Sequence, residues 1–436
     1  MVAAHSLEIG DDAHWQRLRA IVGGSAGNLV EWYDWFAYSS LALYFAPVFF
    51  PKGDQTAQLL QTAAVFAVGF FARPIGAWLM GLYADRAGRR AALTLSVSMM
   101  CLGALVIALT PGYAQIGAAA PVILLAARVL QGLSVGGEYG ASATYLSEMA
   151  GRRRRGFWSS FQYVTLIGGQ LLALGVLMVL QHTLSDAALA SWGWRIPFLI
   201  GGALAVIVFW MRRRMVESAS WTNARRDGAV LPSGALRILT HHPREAAIIA
   251  ILTAAGSLSF YAYSTYMQKF LVNTSGFTKD QATTVTAFAL LCFMMVQPVF
   301  GWLSDRIGRK PMLIASFGAG ALTAYPIFST IAATQDTSRA FVLILAALLI
   351  ASAYTSISAV VKAEMFPAHL RALGVALPYA IGNAAFGGTA EYVALWFKAH
   401  GNESGFFIYV AVITGVACIT AMRMRDTQKD SLITED

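Results

Sequence analysis

The decapeptide Gly81-Leu-Tyr-Ala-Asp85-Arg86-Ala-Gly88-Arg89-Arg90 returns as Gly301-Trp-Leu-Ser-Asp305-Arg306-Ile-Gly308-Arg309-Lys310, with each Gly, Asp and basic position in the same register. Each copy starts where a long apolar run ends and finishes in a basic, glycine-containing turn. A short polar link met once in each half of a chain marks an internally duplicated protein, two units of one topology in tandem. A second pair agrees: Glu148-Met followed by Arg155-Gly156, and Glu364-Met followed by Arg371 and Gly374. The duplication predicts two units, residues 1–212 and 244–436, joined over 213–243 by a stretch too polar to cross a membrane.

Both units have the composition of a membrane protein. Apolar residues make up 57% of the 436, charged residues only 13%, and the mean hydropathy is +0.57; a water-soluble chain of this length needs far more polar surface. Apolar runs of about 20 residues, enough to cross roughly 30 Å of hydrocarbon, occur six times between 20 and 211 and six times between 245 and 422. The predicted fold is an all-α membrane protein of twelve transmembrane helices in two pseudo-symmetric six-helix bundles. The polar start, through Ala13, lacks the apolar core of a cleavable leader.

A net charge of +9 suggests a nucleic-acid partner until it is mapped. About 23 of the Lys and Arg residues fall in loops on one side, the positive-inside pattern, which predicts cytoplasmic termini and a lipid bilayer as the partner. Cys101, Cys292 and Cys418 lie in apolar runs without metal-ligand spacing. No nucleophile–base motif stands out either, so neither an enzyme nor a cofactor is expected. The chain is expected to work as a monomer.

An ionised side chain inside a spanning helix costs at least about 2.5–3.5 kcal/mol at the helix centre and calls for a functional reason. Such residues are Glu31, Asp34, Arg73, Arg128, Glu138, Arg195, Lys269 and Glu391. Lys362 stands near a helix end, where snorkelling to water is expected. At a rise of about 1.5 Å per residue, Asp34 and Arg128 reach the same depth, and Glu31 and Asp34 share a helix face. A carboxylate whose arginine is alternately available and withdrawn can take up and release a proton. Asp34, Glu31, Arg128 and Glu138 therefore form the predicted proton-coupling set, although a static ion pair suits the Asp34–Arg128 spacing too. Arg73, beside the helix-bending Pro74, is either a functional cation or a structural partner of Glu138. In the repeated loops, Gly81, Asp85, Arg86, Gly88, Arg89, Asp305, Arg306, Gly308 and Arg309 are expected to act as conformational latches, a carboxylate bridging to a neighbouring helix in one state only.

The repeated loop resembles the signature loop of the major facilitator superfamily. Asn28-Leu-Val-Glu31-Trp-Tyr-Asp34-Trp, Arg73-Pro-Ile-Gly76, Arg128-Val-Leu-Gln131-Gly-Leu-Ser-Val-Gly-Gly-Glu138-Tyr-Gly140 and Trp194-Arg195-Ile-Pro-Phe198 narrow the resemblance to its metabolite:H⁺ symporter branch. The runs Ser160–Gln170, Gln181–Ala188, Tyr266–Lys269 and Lys362–Pro367 look like those of branch members that carry 2-oxoglutarate. The resemblance implies uptake of this small organic acid with protons across a bacterial inner membrane, by alternating access and without a cofactor. For a dicarboxylate, Arg73, Arg195 and Lys269 are the expected cationic anchors, with Gln170, Tyr266 and Asn383 as polar lining. Side-chain chemistry leaves shikimate, citrate, proline or betaine open as substrates, and leaves open a passive uniporter.

Overall fold

The computed structural model describes residues 28–87, 89–135, 147, 152–213 and 241–433. Among these the chain is helical. The first half contains α1 (28–49), α2 (Gln55–Ala87), α3 (Arg89–Leu109), α4 (Ala119–Val135), α5 (Phe161–Thr183) and α6 (Ile196–Arg213). The second half contains α7, in two pieces (Pro243–Tyr263 and Met267–Asn273), α8 (Lys279–Ile307), α9 (Arg309–Ala332) and α10, again in two (Thr337–Thr355 and Ser358–Glu364). It closes with α11 (Ala368–Gly382, continuing to Ala399 through a π-helical segment) and α12 (Glu403–Arg423). The twelve expected helices are thus present, with α4 described only to Val135. Among the described residues, seven spans are long and apolar enough to cross a membrane. Most of the expected linker, together with Gly88 and Glu138, lies outside the described residues, as do the side chains of Gly81, Asp85, Arg86 and Arg89.

Helix starts follow local chemistry. Thr278 and Gln281 form a reciprocal capping box at α8, and the Asp336 carboxylate accepts from the backbone of α10, each satisfying donors that the first turn leaves open. Gly308 turns α8 into α9 at φ +98°, a conformation that costs glycine nothing.

The polarity of the molecule is inverted. Leu322 and Met295 are 81% and 67% exposed while Arg128, Lys269 and Arg309 are wholly buried, as expected where lipid is the solvent and charges turn toward the bundle interior. Small residues set the closest crossings. A Cβ on Gly132 would lie 2.1 Å from the Gly69 carbonyl oxygen, and one on Gly301 would lie 2.5 Å from that of Gly156; without a hydrophobic drive in lipid, such backbone approach supplies the packing energy. The first contact welds α4 to α2. The second joins the halves at the end that carries the repeated loops.

Candidate functional site

The central site forms where α1 and α2 of the first half meet α7 and α11 of the second. Trp32, Trp35 and Phe70 build an aromatic box around Arg73, whose guanidinium carbon lies 5.3, 3.8 and 4.1 Å from the three ring centroids. Cation–π contact holds the side chain without consuming its N–H donors. Arg73 is buried and hydrogen-bonded to Tyr261, yet its Nε and Nη2 have no hydrogen-bond partner among the described residues. Glu31 and Tyr379 lie within Coulombic reach of it. Buried donors left open carry a desolvation cost of about 1–3 kcal/mol each, which a bound anion removes.

The second-half wall is made by a local departure from α-helix. Over Asn383–Gly387 the backbone is π-helical, closed by the Gly388 N–H donating to the Asn383 carbonyl, a distortion often found at functional sites. It seats Asn383 beside Tyr261 and lets its Nδ2 donate to the Tyr379 hydroxyl at 3.3 Å, with Oδ1 unpartnered. Gln170 on α5 is likewise buried with an unpartnered Oε1.

Beside this site runs a buried polar chain. Arg128 Nη1 donates to Gln131 Oε1 at 2.8 Å, and Gln131 Nε2 donates to Asp34 Oδ2. Asp34 and Arg128 are therefore level, as their depths predict, but joined through an amide rather than face to face. Gln131 is a residue the sequence argument missed. Its i, i+3 spacing from Arg128 puts both on one helix face, which was the available signal. The Arg128 guanidinium carbon lies 4.0 Å from the Trp35 centroid, so one indole touches the cations of both networks.

Several expected placements are overturned. Arg195 does not face the site: its Nη1 donates to the carbonyls of Ala108 and Thr110 at 2.6 and 2.8 Å, satisfying acceptors that the end of α3 leaves open. Lys269 is not an unbalanced cation, because its Nζ lies 2.7 Å from Glu391 and donates to Ser39 of the first half. Lys362 does not snorkel; it is 1% exposed and donates to Ser358 at 2.7 Å. Tyr266 packs on Phe270 and Phe406 at the break in α7, apart from the Arg73 network.

Contacts between halves close the site on both sides. At the loop-bearing end, the backbone N–H groups of Gly156 and Phe157 donate to the two oxygens of Asp305 at 2.8 and 3.0 Å, and Arg309 holds the same carboxylate at 2.8 Å. Arg309 also lies 3.6 Å from Glu364. Arg306 instead stacks on Trp302, exposed, and takes no part in this junction. At the opposite end, Ser39 donates to Glu391 within the Lys269 pair, Lys279 reaches the Leu43 carbonyl, and Gln181 donates to Thr283.

The first half, residues 20–229, matches a family profile described as sugar (and other) transporter, and residues 249–434 match that of the major facilitator superfamily. The chain is 53% identical to the alpha-ketoglutarate permease of Escherichia coli, across 94% of both chains. It is 32% identical to a citrate-proton symporter of Klebsiella pneumoniae, across 92% of this chain and 90% of that one. In three dimensions it matches the proton:xylose symporter XylE with TM-score 0.76 over 96% of this chain and 98% of that one, at 19% identity, a likeness of fold alone. Duplicated helical halves, buried charges at their interface and these matches lead to one conclusion: the chain belongs to the major facilitator superfamily.

Proposed function

We propose that the chain imports 2-oxoglutarate together with protons across the bacterial inner membrane, as a monomer working by alternating access. Both termini and the repeated loops face the cytoplasm, and the proton gradient supplies the energy with no cofactor. The observation that carries this reading is Arg73, buried at the junction of the two halves with two open donors. A guanidinium fork suits a carboxylate, and a site between the halves is where a carrier of this architecture exposes its ligand to each side in turn. The 53% identity to alpha-ketoglutarate permease supports the substrate.

The coupling follows from the adjacency of the two networks. Asp34 is the proton-binding group, tied through Gln131 to Arg128. Arg73 and Arg128 share the Trp35 ring, so charge placed on one is felt by the other. A carboxylate bound at Arg73 cancels part of the positive field around Asp34, and anion and proton therefore favour each other's binding by the same factor in both directions. Loading both is symport.

Reconstitution tests the reading. In proteoliposomes with an inward proton gradient, labelled 2-oxoglutarate should accumulate above its external concentration, and collapse of the gradient should abolish accumulation. Stronger competition by citrate, shikimate or proline than by unlabelled 2-oxoglutarate would reassign the substrate. Counterflow without gradient-driven accumulation would make the protein a uniporter.

A further inference from the structure

The π-helical turn of α11 lies between two places where the halves meet. At its start Asn383 is hydrogen-bonded to Tyr261 and donates to Tyr379, and so borders the Arg73 site. Beyond it, eight residues on, Glu391 holds Lys269 and accepts from Ser39 of the first half. The turn itself touches the first half through Gly388, its closing residue. A Cβ there would lie 2.4 Å from the Cβ of Phe70, whose ring is 4.1 Å from the Arg73 guanidinium carbon. On the other side, a Cβ on Gly387 would lie 3.0 Å from the Tyr261 ring. One distorted turn thus packs against the box around Arg73 and sets the rotation of the helical piece that carries Glu391.

We infer that this turn is a register switch, π-helical while the end opposite the repeated loops is shut and α-helical when that end opens. The Asn383 carbonyl accepts from Gly388 in the π register; in an α register it accepts from Gly387. Everything beyond then turns by about 100°, one residue of a 3.6-residue turn. Glu391 is carried off Lys269 and Ser39, and the latch releases. A rigid motion of the halves cannot do this, because Lys269 and Glu391 both belong to the second half and would travel together. A π turn is a rare departure inside an α-helix and persists where neighbours hold it. Phe70 is the neighbour that belongs to the other half, so parting of the halves withdraws it from Gly388 and lets the turn relax. Loss of the Phe70 contact and loss of the Glu391 latch are then one event.

The inference rests on the alternating-access part of the proposed function and not on the substrate, and the test keeps the two apart. Spin labels are placed in pairs at Lys52, Arg339 and Trp396, all exposed, in protein lacking the three native cysteines. The Lys52–Arg339 distance reads the separation of the halves, and the Arg339–Trp396 distance reads α11 against its own half. Glu391→Gln, which weakens the latch, should lengthen the first. It should also add to the second a population displaced by up to about 8 Å, the chord of that rotation on a helix about 10–12 Å across. Deletion of Ala385 removes the surplus residue and leaves the flanks in place, so the Arg339–Trp396 distance should stay single in that background even with Glu391→Gln. Should the deletion variant fail to unfold cooperatively, Gly388→Ala gives the opposite readout. Its methyl group meets Phe70 in the π register alone, and should by itself populate the displaced distance. Lengthening of Lys52–Arg339 with Arg339–Trp396 unchanged in the Glu391→Gln and Gly388→Ala proteins overturns the switch alone, as does a displaced population that persists in the deletion variant. A Lys52–Arg339 distance that no variant changes overturns alternating access and the switch with it.

Discussion

Trp35 sits with its ring centroid 3.8 Å from the guanidinium carbon of Arg73 and 4.0 Å from that of Arg128. One side chain therefore stands between the group proposed to bind the anion and the chain proposed to bind the proton. Gln131→Met keeps the length of the side chain but removes both hydrogen bonds of the Asp34–Gln131–Arg128 chain. It should abolish gradient-driven accumulation while leaving counterflow largely intact, as should Asp34→Asn, because exchange needs movement of substrate but no net proton cycle. Wild-type accumulation in both variants would take α1 and α4 out of coupling. At Arg73 the change to Lys keeps charge and loses the fork, and should weaken 2-oxoglutarate binding by about 1.5–3 kcal/mol. Arg195→Lys should leave binding unchanged, since that side chain caps α3. These assignments show what single residues disclose in a sequence. Glu31, Asp34, Arg73 and Arg128 declare themselves because charge in lipid is costly, and rise per residue gives their depth. Depth says nothing of direction around the bundle, which is why Arg195 and Lys269 look equally available and are not. Asn383 carries no charge, so nothing but the folded neighbourhood separates it from ordinary lining amides, and Gln131 is marked in the sequence by nothing beyond its i, i+3 spacing from Arg128.

The breaks in α7, α10 and α11 are where hydropathy is least informative. An unbroken apolar run and one interrupted at Ser264–Tyr266 or at Ser356–Ile357 have the same composition, and no proline marks either interruption. Of the elements that proline does mark, α2 at Pro74, α8 at Pro298 and α9 at Pro326 run through as single helices, and α11, with Pro378, turns π-helical only five residues later. A second feature hidden from the sequence is the path of the chain after α12. Asp426 accepts from the Arg309 N–H, and Thr427 donates to Glu364. Gln428 donates to the Asp305 carbonyl, and the Leu432 N–H donates to that of Glu364. This segment therefore lies across the same Asp305–Arg309–Glu364 cluster that joins the halves at the loop-bearing end. These bonds lie within the second half, and they hold Ser431 where Arg155 Nη1 of the first half donates to its hydroxyl at 3.5 Å; a bond of this kind contributes about 0.5–1.5 kcal/mol, enough to bias a two-state opening several-fold. Truncation after Met424 should raise the labelling rate of a cysteine placed at Ser160 several-fold, measured with a membrane-impermeant maleimide from that side in protein lacking Cys101, Cys292 and Cys418. An unchanged rate would leave the segment with no part in closure.

The molecule as a whole is held shut by two unlike devices, one at each end. At the loop-bearing end the Asp305 carboxylate receives backbone N–H groups of the first half and the guanidinium of Arg309. At the other, the buried Lys269–Glu391 pair of the second half engages a single hydroxyl, Ser39, of the first. Opening one end requires breaking one set and keeping the other, so each set biases the equilibrium toward opening at the far side. The sequence discloses the first device through its repeat, because the loop that carries Asp305 recurs. The second has no repeated counterpart and is visible only once α1, α7 and α11 are brought together. Asp305→Asn weakens charge-assisted bonds and should shift the population toward opening at the loop-bearing end. Glu391→Gln leaves Lys269 buried opposite a neutral amide, a loss of about 3–5 kcal/mol when a buried pair is broken, and should shift it toward the other. Spin labels read the two ends separately: Arg153 and Lys429 span the halves at the loop-bearing end, Lys52 and Asn402 at the opposite one, and all four are exposed. Asp305→Asn should lengthen the Arg153–Lys429 distance with Lys52–Asn402 unchanged, Glu391→Gln should do the reverse, and the double variant should fall between. If both single variants lengthen the same distance, the two contacts are parts of one closure, and the molecule does not alternate about the Arg73 site in the way proposed.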